Sequence, residues 1–134
     1  MGFPTIYWFG GHDDFKVMAF ELLGPSLEDL FDFCGRRFSL KTTLMIMDQL
    51  LLRMELMHSK GMVHRDIKPR NFLMGLGMNG NEIYVTDFGL VHGYTTTCAS
   101  TTAITPHQPR LIGTTRFASI AGHKGQGVLT PGVN

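Results

Sequence analysis

One stretch, about Leu40–Ser59, constrains this chain more than any other feature. Ser39 stands before it as an N-cap, and Gly61 follows it in the C′ manner. Leu40, Leu44, Met47, Leu51, Met54 and His58 recur at helical spacing along one stripe, and Met45, Leu52 and Leu56 make a second apolar face. A helix that is apolar on more than one side belongs inside a larger packed structure. Asp48, Arg53 and Glu55 interrupt the run Leu44–Met57, which excludes a membrane-spanning helix.

The 134 residues are enough for one ordinary domain. Apolar residues at 43% and charged residues at 17% exclude a disordered chain. Twelve basic residues against eleven acidic ones leave a net charge of +1, which argues for neither nucleic-acid nor membrane binding. Two cysteines, Cys34 and Cys98, are too few for a disulfide scaffold and point to a reducing compartment, the cytoplasm or the nucleus. Met1–Gly11 has no basic residue before its apolar stretch, so no signal peptide is expected there. Ile6 stands where a myristoylation site wants Ser or Thr.

The other elements are shorter. Thr5–Phe9 and Phe15–Leu22 read as two strands around the turn composition Gly10-Gly11-His12-Asp13-Asp14. Ser26 with Asp29 three residues later resembles a capping box, so a short helix is expected through Phe33, closed by Gly35. Phe72–Met74 and Ile83–Thr86 read as strands joined by a glycine-rich turn. From Gly89 to Leu111 the chain reads as a long polar loop, and His123–Asn134 as a frayed tail.

Two motifs carry chemistry. His64-Arg65-Asp66-Ile67-Lys68-Pro69-Arg70-Asn71 fits the protein-kinase catalytic-loop pattern, with Ile in place of Leu. Asp87-Phe88-Gly89 begins sixteen positions after Asn71 and follows a predicted strand. Either alone can arise by accident, but the two in this order after a long helix are specific. Phosphoryl transfer requires positioning and charge neutralisation more than covalent help. Asp66 suits orienting a substrate hydroxyl and accepting its proton, and Lys68 places positive charge beside the transferring group. Asn71 and Asp87 supply the hard oxygen ligands that Mg²⁺ prefers. The histidines show no metal-ligand spacing with the cysteines.

The segment Glu21-Leu22-Leu23-Gly24-Pro25-Ser26-Leu27-Glu28-Asp29-Leu30-Phe31 resembles the hinge and following helix of casein kinase I enzymes. Asn71-Phe72-Leu73-Met74-Gly75 and Gly113-Thr114-Thr115-Arg116-Phe117-Ala118-Ser119-Ile120 are similar to that family's motifs, and the related tau-tubulin kinases share much of the last one. The resemblance implies an α+β, partial protein-kinase-like fold over residues 1–122. Residues 1–22 would be the end of the N-lobe and hinge strand, 23–122 the start of the C-lobe through the activation segment, and 123–134 a tail. It implies ATP and Mg²⁺ as cofactors and a protein substrate, acidic or already phosphorylated. Phe20 would be the gatekeeper, the Glu21 and Leu23 backbone would face the adenine edge, Ser26 and Asp29 would border the ribose, and Leu73 would floor the base pocket. Thr114 would approach Asp66 and Lys68, and Arg116 would bind a substrate anion. Plainer readings stand beside these: a helix cap for Ser26 and Asp29, core packing for Phe20 and Leu73, and a solvated surface arginine for Arg116.

The chain also departs from that family. No Gly-rich loop or Val-Ala-Ile-Lys-type strand precedes Thr5, and Lys16 is no substitute. Arg70 replaces an acid before Asn71, and His92-Gly93 replaces a basic pair. The expectation is a casein kinase I-like kinase domain, inactive as residues 1–134 alone. The alternatives are a non-catalytic kinase-derived scaffold or a gene-model fragment.

Overall fold

The computed structural model describes residues 2–93 and 111–124, an α+β arrangement of three two-stranded antiparallel pairs and three helices. The chain divides into two compact units, Met1–Leu50 with Pro69–Thr86 and Leu51–Lys68 with Asp87–Asn134.

The first unit opens with a hairpin, β1 (Ile6–His12) paired antiparallel to β2 (Phe15–Phe20). The turn is tighter than its composition suggested. Only Asp13-Asp14 makes it, with Asp13 at φ 50°, a conformation that Asp tolerates. Gly10 and Gly11 instead extend β1. A Cβ on Gly10 would lie 2.5 Å from the Trp8 ring, so the glycine gives that indole its place. A register shift between Ile6 and Trp8 marks a bulge.

Helix α1 (Leu27–Phe33) starts as expected. Asp29 N–H donates to Ser26 Oγ (3.2 Å), and Ser26 N–H and Oγ–H donate to Asp29 Oδ2 (3.0 and 2.6 Å). At its end, Gly35 N–H bonds the Asp32 carbonyl (3.0 Å) and Arg36 N–H the Phe31 carbonyl (2.8 Å), a Schellman closure. Helix α1 packs on β4 (Phe72–Met74) and on the 3₁₀ turn Pro69–Asn71 before it. β4 pairs with β5 (Ile83–Val85), Phe72 opposite Val85 and Met74 opposite Ile83. Leu27, Phe72, Ile83, Tyr84 and Val85 are the buried apolar residues of this unit.

Helix α2 (Leu40–Ser59) has the bounds its pattern predicts, and Ser39 Oγ accepts from Thr42 N–H (3.1 Å). Its covered face overlaps the predicted stripe only in part. Leu40, Leu44, Met47 and Leu51 of that stripe are exposed and Met54 and His58 half-buried, whereas Arg53 and Met57 are buried and Ile46, Gln49 and Leu50 half-buried. Gln49 explains part of the choice. Its Nε2 donates to the Asn81 carbonyl (2.9 Å), and its Oε1 accepts from Ile83 N–H (2.9 Å). A side-chain amide that saturates a strand end sets the rotation of the helix, a choice that apolar periodicity cannot make.

The second unit holds β3 (Met62–Val63) and β6 (His92–Gly93), paired antiparallel, and the short helix α3 (Ile120–His123). None of the three was expected. His92-Gly93 reads as loop in sequence because two residues carry no period, and α3 extends one residue into the predicted tail, capped by Ser119 Oγ accepting from Gly122 N–H (3.1 Å). The rest of the Thr-rich loop, 94–110, and of the tail, 125–134, lies outside the described residues. No described helix is long and apolar enough to cross a membrane.

The apolar exposure has a consequence. Tyr7 (70%), Phe15 (72%), Leu40 (76%) and Leu51 (62%) are solvent-exposed, along with Phe9, Leu44, Met45 and Leu52. Each large side chain left in water forfeits about 1.5–3 kcal/mol, against a net domain stability of about 5–15 kcal/mol. Residues 1–134 by themselves are therefore expected to self-associate, bind ANS and melt without a sharp transition. A light-scattering monomer with a cooperative melt contradicts this.

Candidate active site

The loop after β3 carries the first motif. Its backbone is held by contacts within the second unit. Arg65 sits at φ 66°, and its Nε donates to the Leu90 carbonyl (2.6 Å). His64 is 1% exposed, its ring 5.9 Å from that of Phe88, and its Nδ1 accepts from Asp66 N–H (3.3 Å). His64 and Arg65 thus place the backbone that carries Asp66, a role their motif positions signal but no pairwise rule reveals.

Asp66 is the centre of the site and is buried. Lys68 Nζ donates to its Oδ2 at 2.6 Å. Thr114, 48 positions later, gives Oδ1 both its N–H and its hydroxyl, each at 2.8 Å. Lys68 Nζ also donates to Thr114 Oγ1 (3.0 Å), so the three side chains close a triangle. Burial pushes the Asp66 carboxyl up. The bonds from Lys68 and Thr114, with the Lys68 charge, prevail and lower it from 3.8 to about 2.

Gly113 makes the triangle possible and was not singled out by sequence reading. It adopts φ 87°, and a Cβ there would lie 2.3 Å from the Arg65 carbonyl oxygen. Only glycine lets the segment pass close enough to Arg65 for Thr114 to reach Asp66.

The remaining predicted residues fall elsewhere. Asn71, in the first unit, is buried at the end of the Pro69–Asn71 turn, and its carbonyl accepts from both N–H (2.9 Å) and Oγ1 (3.0 Å) of Thr86. Asp87, in the second unit, is exposed at φ 62°, before the 3₁₀ turn Phe88–Leu90. An amide and a carboxylate are the hard donors that Mg²⁺ takes, so the residue types fit that ion. Among the described residues no three His, Cys, Asp or Glu side chains cluster as a metal site.

In the first unit, Ser26 bridges to Leu73, and Gly24 N–H donates to the Met74 carbonyl (2.7 Å), which ties the Glu21–Gly24 segment to β4. Leu23 and Leu73 are half-buried. Glu21 N–H donates to the Thr5 carbonyl (3.0 Å), and its carboxylate accepts from Thr5 N–H (2.7 Å). Ser26 is 6% exposed with its hydroxyl bonded to Asp29, which forms the helix cap; Asp29 is exposed. Bonds from the Ser26 hydroxyl and amide lower the Asp29 carboxyl, with a smaller contribution from the Arg70 charge, against a slight desolvation. Phe20 is exposed rather than packed in a core. Arg116 is exposed, its guanidinium 5.5 Å from the Phe117 ring, and no bond joins it to the Asp66 triangle among the contacts described.

The triangle sets a pH dependence. Because Asp66 ionises below its usual value, its native contacts contribute stability in full above pH about 4, and that contribution is lost as pH falls through about 2. Lys68→Met removes one bond and one charge but keeps the burial and the Thr114 bonds, so the Asp66 midpoint should rise above about 2 in a carboxyl ¹³C titration. Gly113→Ala should raise it too, by displacing Thr114. A midpoint still near 2 in both variants contradicts the geometry.

A family model described as the protein kinase domain matches residues 5–119, which takes in both motifs, the Asp66 triangle and the β1–β2 hairpin. Protein kinase domains use ATP with Mg²⁺ and act on protein substrates. The chain belongs to the protein kinase domain family.

Proposed function

We propose that this chain is a casein kinase I-like serine/threonine protein kinase domain, transferring the γ-phosphoryl group of Mg·ATP to hydroxyls of acidic or phosphorylated proteins in the cytoplasm or nucleus. The observation that carries this reading is the closed arrangement of Asp66, Lys68 and Thr114. It unites the catalytic-loop motif with the Gly113–Ile120 motif that resembles casein kinase I enzymes. In this reading residues 1–122 form the kinase-derived domain and 123–134 a tail.

Asp66 would receive the substrate hydroxyl. A carboxylate that ionises near 2 is a weak base at neutral pH. Its part is therefore to orient the hydroxyl and take the proton only as the new P–O bond forms. Lys68 places a cation beside the oxygens that gain charge, and Thr114 fixes the distance between Lys68 and Asp66. Asn71 and Asp87 are the residues that would hold Mg²⁺, which would supply positive charge for the phosphates. The Glu21 and Leu23 backbone would meet the adenine edge, Leu73 would floor it, and Asp29, with Ser26 behind it as its cap partner, would border the ribose. Arg116 would meet a substrate anion. Residues 1–134 hold no Gly-rich loop and no lysine strand to clamp the α- and β-phosphates, so they would not transfer phosphate unaided.

Two outcomes test this. Purified residues 1–134 should show no transfer to an acidic protein; transfer abolished by Asp66→Asn contradicts that expectation. In a form of the domain that carries the Gly-rich loop and lysine, Asp66→Asn should keep nucleotide binding and lower turnover at least ~10²-fold. Asp87→Asn should weaken Mg·ATP binding as well. Equal activity of both variants and the wild type removes the roles assigned here.

A further inference from the structure

The connection between α1 and α2 carries a charge pattern that the site does not use. It reads Arg36-Arg37-Phe38-Ser39-Leu40. Arg37–Ser39 has no regular secondary structure, and Arg36, Arg37, Ser39 and Leu40 are all exposed. Two guanidinium groups therefore stand three and two residues before an accessible hydroxyl, with a leucine, 76% exposed, directly after it.

We propose that Ser39 is a phosphorylation site for a separate protein kinase whose substrate groove is lined with carboxylates. Such a groove takes arginines by paired N–H···O bonds, which lysine cannot reproduce. Arg36 is already ordered: it pairs with Asp32, lies 3.9 Å from Glu28, and its guanidinium sits 5.1 Å from the Phe31 ring. Exposed ion pairs of this kind are weak, so the groove's carboxylates can replace Asp32 and Glu28. Phe38 stays anchored edge-on against Phe31 (5.2 Å). Reaction requires only that the first turn of α2 fray, as helix ends do. Ser39 Oγ bonds to the γ-phosphorus of ATP, its proton passes to the kinase's base, and the bond from that phosphorus to the β–γ bridging oxygen breaks to release ADP.

The product is compatible with the fold. Ser39 caps a 20-residue helix that has no acidic residue in its first turn and has Lys41 there. A dianion at that place faces the positive end of the helix dipole and no like charge on the turn. Ser26 offers a contrast within the same chain. It is buried and preceded by Gly24-Pro25 rather than a basic pair, whereas Ser39 is exposed, with its hydroxyl bonded to the Thr42 hydroxyl (2.8 Å) and N–H (3.1 Å) of the turn that must fray.

The test uses the 134-residue chain with a control that omits the added enzyme, so that transfer is credited to that enzyme alone and the outcome does not depend on the kinase reading of this chain. The cyclic-AMP-dependent protein kinase catalytic subunit with ATP is the probe, and phosphopeptide mapping is the readout. One phosphoryl group should appear at Ser39 and none at Ser26, and Ser39→Ala should abolish it. Arg36→Ala and Arg37→Ala should each lower the initial rate by roughly tenfold or more, and Arg37→Lys should restore only part of it. No incorporation at Ser39, labelling spread over the serines and threonines, or rates indifferent to both arginines overturns the proposal.

Discussion

Everything at the centre of this chain depends on one buried carboxylate kept ionised. Burial disfavours the Asp66 anion where it sits. Lys68 and Thr114 compensate with three hydrogen bonds and a cation, and in doing so they tie two stretches of chain 48 residues apart. The cost of leaving such a charge unpaired is large enough to hold its partners in place. The Arg65 and Gly113 conformations follow from that requirement. Both have positive φ, and the Gly113 Cα lies where any side chain would collide with the Arg65 carbonyl.

The same logic holds in the first unit at lower stakes. Gln49 spends both ends of its amide on the backbone around β5, and Thr86 spends its hydroxyl and N–H on the Asn71 carbonyl. These bonds set the position of α2 against β5 and of β5 against the Asn71 turn, within a unit whose buried apolar set is small. Polar atoms thus do here what a deeper core does in a larger domain: they choose among packings that apolar contact alone leaves close in energy.

Much of this was legible from residue order. The bounds of α2, the capping box at Ser26 and the β4–β5 pair follow from local rules that act over three or four residues. The two kinase motifs were legible because their spacing is itself the signal. What could not be read was non-local. The covered face of α2 leaves the first four residues of its apolar stripe exposed, since several faces of that helix are similarly apolar and Gln49 helps to decide between them.

Residue order by itself determined α1 and α2 with their caps, the β1–β2 and β4–β5 hairpins and the set of chemical groups, because each depends on neighbours close along the chain. Tertiary structure alone decided how those groups are used. It turned Gln49 of α2 onto the end of β5, placed Thr114 on Asp66, and drew the Asp66 carboxyl down to about 2. The reason is physical: charge stabilisation and close backbone approach depend on distances through space, and those exist only once remote segments have met.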